Sequence, residues 1–154
     1  MRFTISAVGK RSPNWVQEGF AAYQKRFATP FSLQLNEIEA GKRLTDIAKI
    51  TKEEGDKILA SVPKGGRLIA LDERGKLLST LQLAEQIKDW QIDGRDCVFA
   101  IGGADGHDPR VLQAADLKWS LSPLTFPHAM VRVLLAEQLY RAVSVINGHP
   151  YHRE

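Results

Sequence analysis

Two apolar runs, Leu68-Ile-Ala-Leu71 and Cys97-Val-Phe-Ala-Ile101, constrain this chain more than any other feature. Runs this short without a polar interruption suit strands covered on both faces, the habit of a parallel sheet between layers of helix. Around them the periodicity alternates between two and 3.6 residues. It predicts strands at 2–8, 31–38, 66–71 and 97–101, with a short one around 118–121. Helices are expected at 13–28, 45–62, 80–92, 109–115 and 127–147, with Ser12-Pro13, Thr45, Ser79 and Asp108-Pro109 as start signals. The alternation reads as an α/β fold with a parallel sheet and helices on both faces, whose ligands sit beyond the carboxyl ends of the strands.

Length and composition set the frame. With 154 residues, 44% hydrophobic and 25% charged, the chain is expected to form one globular domain over 1–154. Its N-terminus alternates like a strand and lacks the apolar run of a signal peptide, and no stretch approaches a membrane span, so a cytoplasmic protein is expected. Cys97 is the sole cysteine and lies inside an apolar run. That excludes a disulfide framework and a cysteine metal site, and predicts a buried structural thiol.

Charge is unevenly placed. Residues 1–77 carry 14 Lys+Arg against 9 Asp+Glu, a balance of +5, whereas residues 78–154 carry 7 against 9, a balance of −2. The pairs Lys10-Arg11, Lys25-Arg26 and Lys42-Arg43 stand at expected element ends, where they could hold the phosphates of a nucleic acid or simply form a solvated basic surface.

Polar chemistry concentrates at the other end. His149-Pro-Tyr-His-Arg-Glu154 packs an aromatic ring, two imidazoles and a guanidinium into a terminus, normally the least informative part of a domain. Glu137 and Arg141 form an i, i+4 pair on a helix otherwise apolar around nearly its full circumference, which points to partial desolvation and to a homodimer built on that helix. Ile101-Gly-Gly-Ala-Asp-Gly106 follows a buried strand but fits neither a phosphate loop nor the dinucleotide fingerprint. With Leu71-Asp72 and Leu121 to Phe126 it describes an apolar slot lined by backbone amides and carbonyls. His149-x-x-His152 lacks further ligands for a metal set, and no Ser-His-Asp or Cys-His arrangement is evident.

Val8-Gly-Lys10, Ile101-Gly-Gly103, Leu124-Thr-Phe-Pro-His128, Glu137-Gln-Leu-Tyr-Arg-Ala142 and Pro150-Tyr-His-Arg153 resemble, along the whole chain, the RlmH family of SPOUT methyltransferases. Members methylate N3 of a pseudouridine in bacterial 23S ribosomal RNA. The resemblance implies a five-stranded parallel sheet, a C-terminal trefoil knot, a homodimer acting on the large subunit or assembled ribosome, and S-adenosylmethionine as methyl donor without a metal. It places cofactor contacts on Leu71, Gly102, Leu121, Ser122, Pro123, Leu124, Thr125 and Phe126. Substrate handling falls on Glu137, Arg141, Tyr151, His152 and Arg153. Relatives differ at Ala104 and Asp105, so no catalytic role is carried over to Asp105. Two other classes compete with this reading, a non-catalytic RNA-binding module and a nucleotide-binding protein of flavodoxin type; ligand identity separates all three.

Overall fold

The computed structural model describes residues 1–42 and 46–153. Arg43, Thr45 and Glu154, each singled out in the sequence, lie outside the described residues. The elements run β1 (Arg2–Val8), α1 (Asn14–Gln24), β2 (Ser32–Ile38), α2 (Ile47–Ala60), β3 (Arg67–Leu77), α3 (Thr80–Asp93), β4 (Cys97–Ile101), α4 (Pro109–Ala114), β5 (Leu117–Ser120) and α5 (His128–Ile146), then a 3-10 turn at Pro150–Arg153. All strands pair in parallel in one five-stranded sheet of order β2-β1-β4-β3-β5.

Local chemistry accounts for the helix starts. Asp46 accepts from the Lys49 amide, Asp108 accepts from the Arg110 amide with Pro109 in the first turn, and Ser79 forms a reciprocal capping box with Gln82. Each sheet face then acquires its own core. Phe3, Ile5, Ile69 and Phe99 pack with Phe20 of α1, Leu83 and Ile87 of α3, and Leu135 and Leu139 of α5. Val8, Leu68, Val98 and Ala100 pack with Ile58 of α2 and Val111 of α4 on the other face. Cys97 is free and fully buried, and burial pushes its thiol up to about 11, so it stays protonated.

Helix α5 buries Leu135, Ala136, Leu139, Ala142 and Val143 on the sheet and is flanked by α1 and α3. Gly19 of α1 makes room for Val133, whose Cγ1 stands 3.3 Å from where a glycine Cβ would fall. Part of the circumferential apolarity of α5 is therefore met within the chain, and Leu135 faces the sheet rather than a partner.

The largest departure from the sequence reading is β3, which runs on through polar residues to Leu77. Its pairing with β5 breaks register between Leu71 and Lys76 and then resumes, with Lys76 opposite Trp119 and Leu77 opposite Ser120. Gly75 permits this, because a Cβ there would stand 2.7 Å from the carbonyl carbon and oxygen of Lys118 and from the amide nitrogen of Trp119. Backbone atoms cannot swing aside, so Gly75→Ala is expected to destabilise the protein by about 1–3 kcal/mol. The midpoint of urea denaturation reads this out, and an unchanged midpoint would mean that β3 and β5 part locally at no cost.

Candidate active site

Beyond the carboxyl ends of β4 and β5, and beside the register break in β3, lies a cleft of about 590 Å³. Its walls come from 71–74, the Gly102–His107 loop, 119–122, 124–126, and His128 and Val131 at the start of α5. The Gly102–Gly106 loop closes on itself through a Gly106 N–H to Gly103 carbonyl bond of 3.1 Å. A Cβ on Gly102 would meet the Gly106 carbonyl carbon at 3.0 Å, so the turn and the cleft floor both need glycine there. On the opposite wall, Ser122 accepts from the Leu124 amide at 2.9 Å, and the Ser120 hydroxyl donates to the Ser122 carbonyl at 3.1 Å.

Among the described residues, two buried nitrogens in the cleft lining have no hydrogen-bond partner, His107 Nδ1 and Trp119 Nε1. His107 Nε2 lies 3.1 Å from the Ala100 carbonyl, so it carries the proton and Nδ1 keeps a lone pair. Burial holds this imidazole below its ordinary pKa, against the opposing pull of that carbonyl. Asp72, at the rim, is held below the usual carboxylate range by the hydrogen bonds of Arg74.

The polar residues of the C-terminus form a second cluster. Gly148, at φ +69, reverses the chain after α5, and the His149 amide returns to the Ser144 carbonyl at 2.9 Å. The 3-10 turn then lies back along the helix. Tyr151 donates to Glu137 Oε1 at 3.1 Å and stands 3.3 Å from the Tyr23 hydroxyl, while Arg141 Nε donates to the same Oε1 at 2.9 Å. Gln138 occupies Glu137 Oε2 at 2.6 Å. The Arg26 guanidinium lies 5.3, 5.7 and 5.5 Å from the ring centres of Tyr23, Tyr140 and Tyr151, and Arg141 lies 5.1 Å from that of Tyr151. Burial and the neighbouring Tyr23 and Glu137 push the Tyr151 phenol up, so it remains a donor at neutral pH. His152 Nδ1 is 3.5 Å from the Ser144 hydroxyl, and Arg153 is exposed.

A family model described as "Predicted SPOUT methyltransferase" matches residues 1–152. The chain belongs to this SPOUT methyltransferase family. Enzymes of the family use S-adenosylmethionine. Of the residues expected to contact it, Leu71, Gly102, Leu121, Ser122, Leu124, Thr125 and Phe126 line the cleft. Pro123 does not line it; it is exposed between residues that do. Glu137, Arg141, Tyr151 and His152 do assemble, but not at the cleft. Nine residues of helix separate His128 from Glu137 and sixteen separate it from Ser144, about 14 and 24 Å at 1.5 Å per residue. Among the described residues no group of three or more metal-ligating side chains occurs, and no helix is long and apolar enough to cross a membrane.

Sequence reasoning missed His107, Trp119, Tyr23 and the place of Arg26. Tyr23, in the last turn of α1, and Arg26, in the turn just past its end, stand at i, i+3, a spacing that could have been read against Tyr140 of the expected last helix.

His107 generates a pH dependence. Its folded pKa lies below the unfolded value near 6.5, so the unfolded chain takes up a proton first as pH falls. Stability is then full above about pH 6.5 and is lost progressively below it, before the carboxylates titrate. The denaturation midpoint of the wild type should drop between about pH 6.5 and 5, and His107→Gln should flatten that segment. Parallel profiles for the two proteins would show that His107 is not held neutral.

Proposed function

We propose that this protein is an S-adenosylmethionine-dependent enzyme of the RlmH type, a homodimer that methylates N3 of a pseudouridine in 23S ribosomal RNA in the bacterial cytoplasm. The observation that carries the reading is the convergence of separate chain segments on one cleft at the sheet's carboxyl edge, within a chain of the SPOUT methyltransferase family. The cleft fits the cofactor chemically. Leu71, Leu121, Leu124 and Phe126 offer apolar surface to a purine, the glycine loop offers backbone polar groups, and the orphaned His107 Nδ1 and Trp119 Nε1 are an acceptor and a donor awaiting partners.

S-adenosylmethionine supplies a methyl group on a sulfonium that leaves as a neutral thioether, so activation requires no metal. The chain's own residues must orient the base and take the N3 proton. Glu137 already accepts from Arg141, Tyr151 and Gln138, which makes it a scaffold for the cluster rather than a free base. His152, tethered only at Nδ1, is the better proton acceptor, with Arg141 and Arg153 stabilising the ring anion. The Tyr151 ring is already flanked by Arg26 and Arg141, so its duty is to hold the tail in place.

The separation between tail and cleft within one chain supports a composite site, in which the tail of one protomer meets the cleft of its partner across a two-fold axis. Mass spectrometry of ribosomal RNA from cells lacking the protein, before and after incubation with purified enzyme and S-adenosylmethionine, tests the reaction; no gain of a methyl group on pseudouridine would overturn it.

Two variants test the architecture. Gly102→Val should weaken S-adenosylmethionine binding at least about tenfold in calorimetry, whereas deletion of residues 151–154 should abolish transfer and leave that affinity within about twofold. Mixing the two should restore roughly a quarter of wild-type activity, because half the dimers carry one complete site of two. Absence of recovery with heterodimers verified would mean that each protomer works alone.

A further inference from the structure

Next to the cleft, the turn from β1 to α1 holds Arg11 in a conformation that a side chain disfavours. Gly9 has φ +116 and Arg11 has φ +62, the one non-glycine left-handed residue among those described. Three anchors impose this shape. The Gly9 amide donates to the Ile38 carbonyl at 2.7 Å, Gln17 Nε2 donates to the Ser12 carbonyl at 2.8 Å, and Arg132 Nη2 donates to the Gly9 carbonyl at 3.2 Å. Arg132 is 3% exposed, with Nη1 on Glu37 at 2.9 Å and its Nε without a partner. Burying a guanidinium so deeply, shared between one carboxylate and a main-chain carbonyl, is an expensive way to shape a turn. Backbone strain of this kind persists where the surroundings enforce it, and it collects at working sites.

What the turn presents is charge. Lys10 and Arg11 are exposed, and neither makes an ion pair or side-chain hydrogen bond among the described residues. By contrast, Arg74, Arg110, Arg132 and Arg141 all lie against carboxylates, and Arg26 is occupied by tyrosine rings. The position is equally specific. Strand β1 pairs with β4, Ala7 opposite Ile101, and Val8 Cγ1 stands 3.0 Å from where a Cβ of the cleft residue Gly103 would fall. Two unpaired cations therefore stand one strand away from the cleft, on the same edge of the sheet.

We propose that residues 9–13 form a phosphate clamp, in which Lys10 and Arg11 hold a phosphodiester of the RNA flanking the base presented to the cleft. Arg132 is the positioning residue that sets the turn from beneath. This rests on the RNA methyltransferase reading above, and it assigns the pair Lys10-Arg11 to the RNA beside the reacting base.

The test uses fluorescein-labelled dodecauridylate as probe, with anisotropy titrations of the full-length protein at several salt concentrations. Lys10→Gln and Arg11→Gln should each weaken binding about three- to tenfold and lower the salt slope by about 0.7, the single-strand value for one lost phosphate contact. Arg11→Gly should lose as much affinity as Arg11→Gln yet melt at a higher temperature, because glycine takes φ +62 without strain. Arg132→Met should weaken binding in the wild-type background but add nothing once Lys10 and Arg11 are both replaced, and Arg132→Lys should recover part of the loss. No salt-dependent binding by the wild type, a slope untouched by the double replacement, or an additive effect of Arg132→Met would each overturn the clamp. Calorimetry with S-adenosylmethionine separates the two readings: failure of the wild type to bind it defeats the methyltransferase assignment, whereas normal binding with an unaltered salt slope defeats only the clamp.

Discussion

Burial of one face of α5 against the sheet is the constraint on which the rest depends. Leu135, Ala136, Leu139, Ala142 and Val143 are at most 4% exposed, and removing one such large side chain typically costs about 2–5 kcal/mol. A helix seated this firmly is a strut of fixed length. Its first turn forms part of the cleft, and its second half carries Glu137, Arg141 and Ser144, on which the terminal turn is built. The same packing that stabilises the fold thus keeps the cleft and the terminal polar cluster apart within one chain.

Electrostatics explains why the turn at Pro150–Arg153 folds back on α5. The residues after a terminal helix would ordinarily fray, but Glu137 offers one carboxylate to donors from α5 and from the tail, and two guanidiniums flank the Tyr151 ring. The Arg141 guanidinium and Glu137 carboxylate are 21% and 14% exposed, so their attraction is less screened than at an open surface. Each partner of the cluster holds the others.

Much of this was legible in the residues. The apolar runs at 68–71 and 97–101, the alternation around them and the capping residues Ser79 and Asp108 encode strands and helices locally, where period and cap chemistry are sufficient. The polar extension of β3 was not, because Asp72 to Lys76 are strand only by virtue of β5 and a glycine that admits its backbone. His107 escaped notice for a similar reason: a histidine after a glycine loop reads as exposed until the loop folds it inward against the Ala100 carbonyl. The cleft's lining was legible as segments that share one edge of a parallel sheet, and the tail as dense polar chemistry. Their separation along α5 was not, since it depends on the tail folding back at Gly148 rather than extending past it.

Trp119 belongs to the core and the cleft at once. It is 2% exposed and sits edge-on to Phe99, which in turn meets Phe3 and Trp90 at the centre of the molecule. The other two indoles stand elsewhere, Trp90 within the core and Trp15 at the surface. A molecule entering the cleft therefore touches a ring that is already structural, and occupancy becomes a term in the folding equilibrium itself. The fluorescence of one tryptophan is positioned to report occupancy, so that the protein carries its own gauge of whether the cleft is filled.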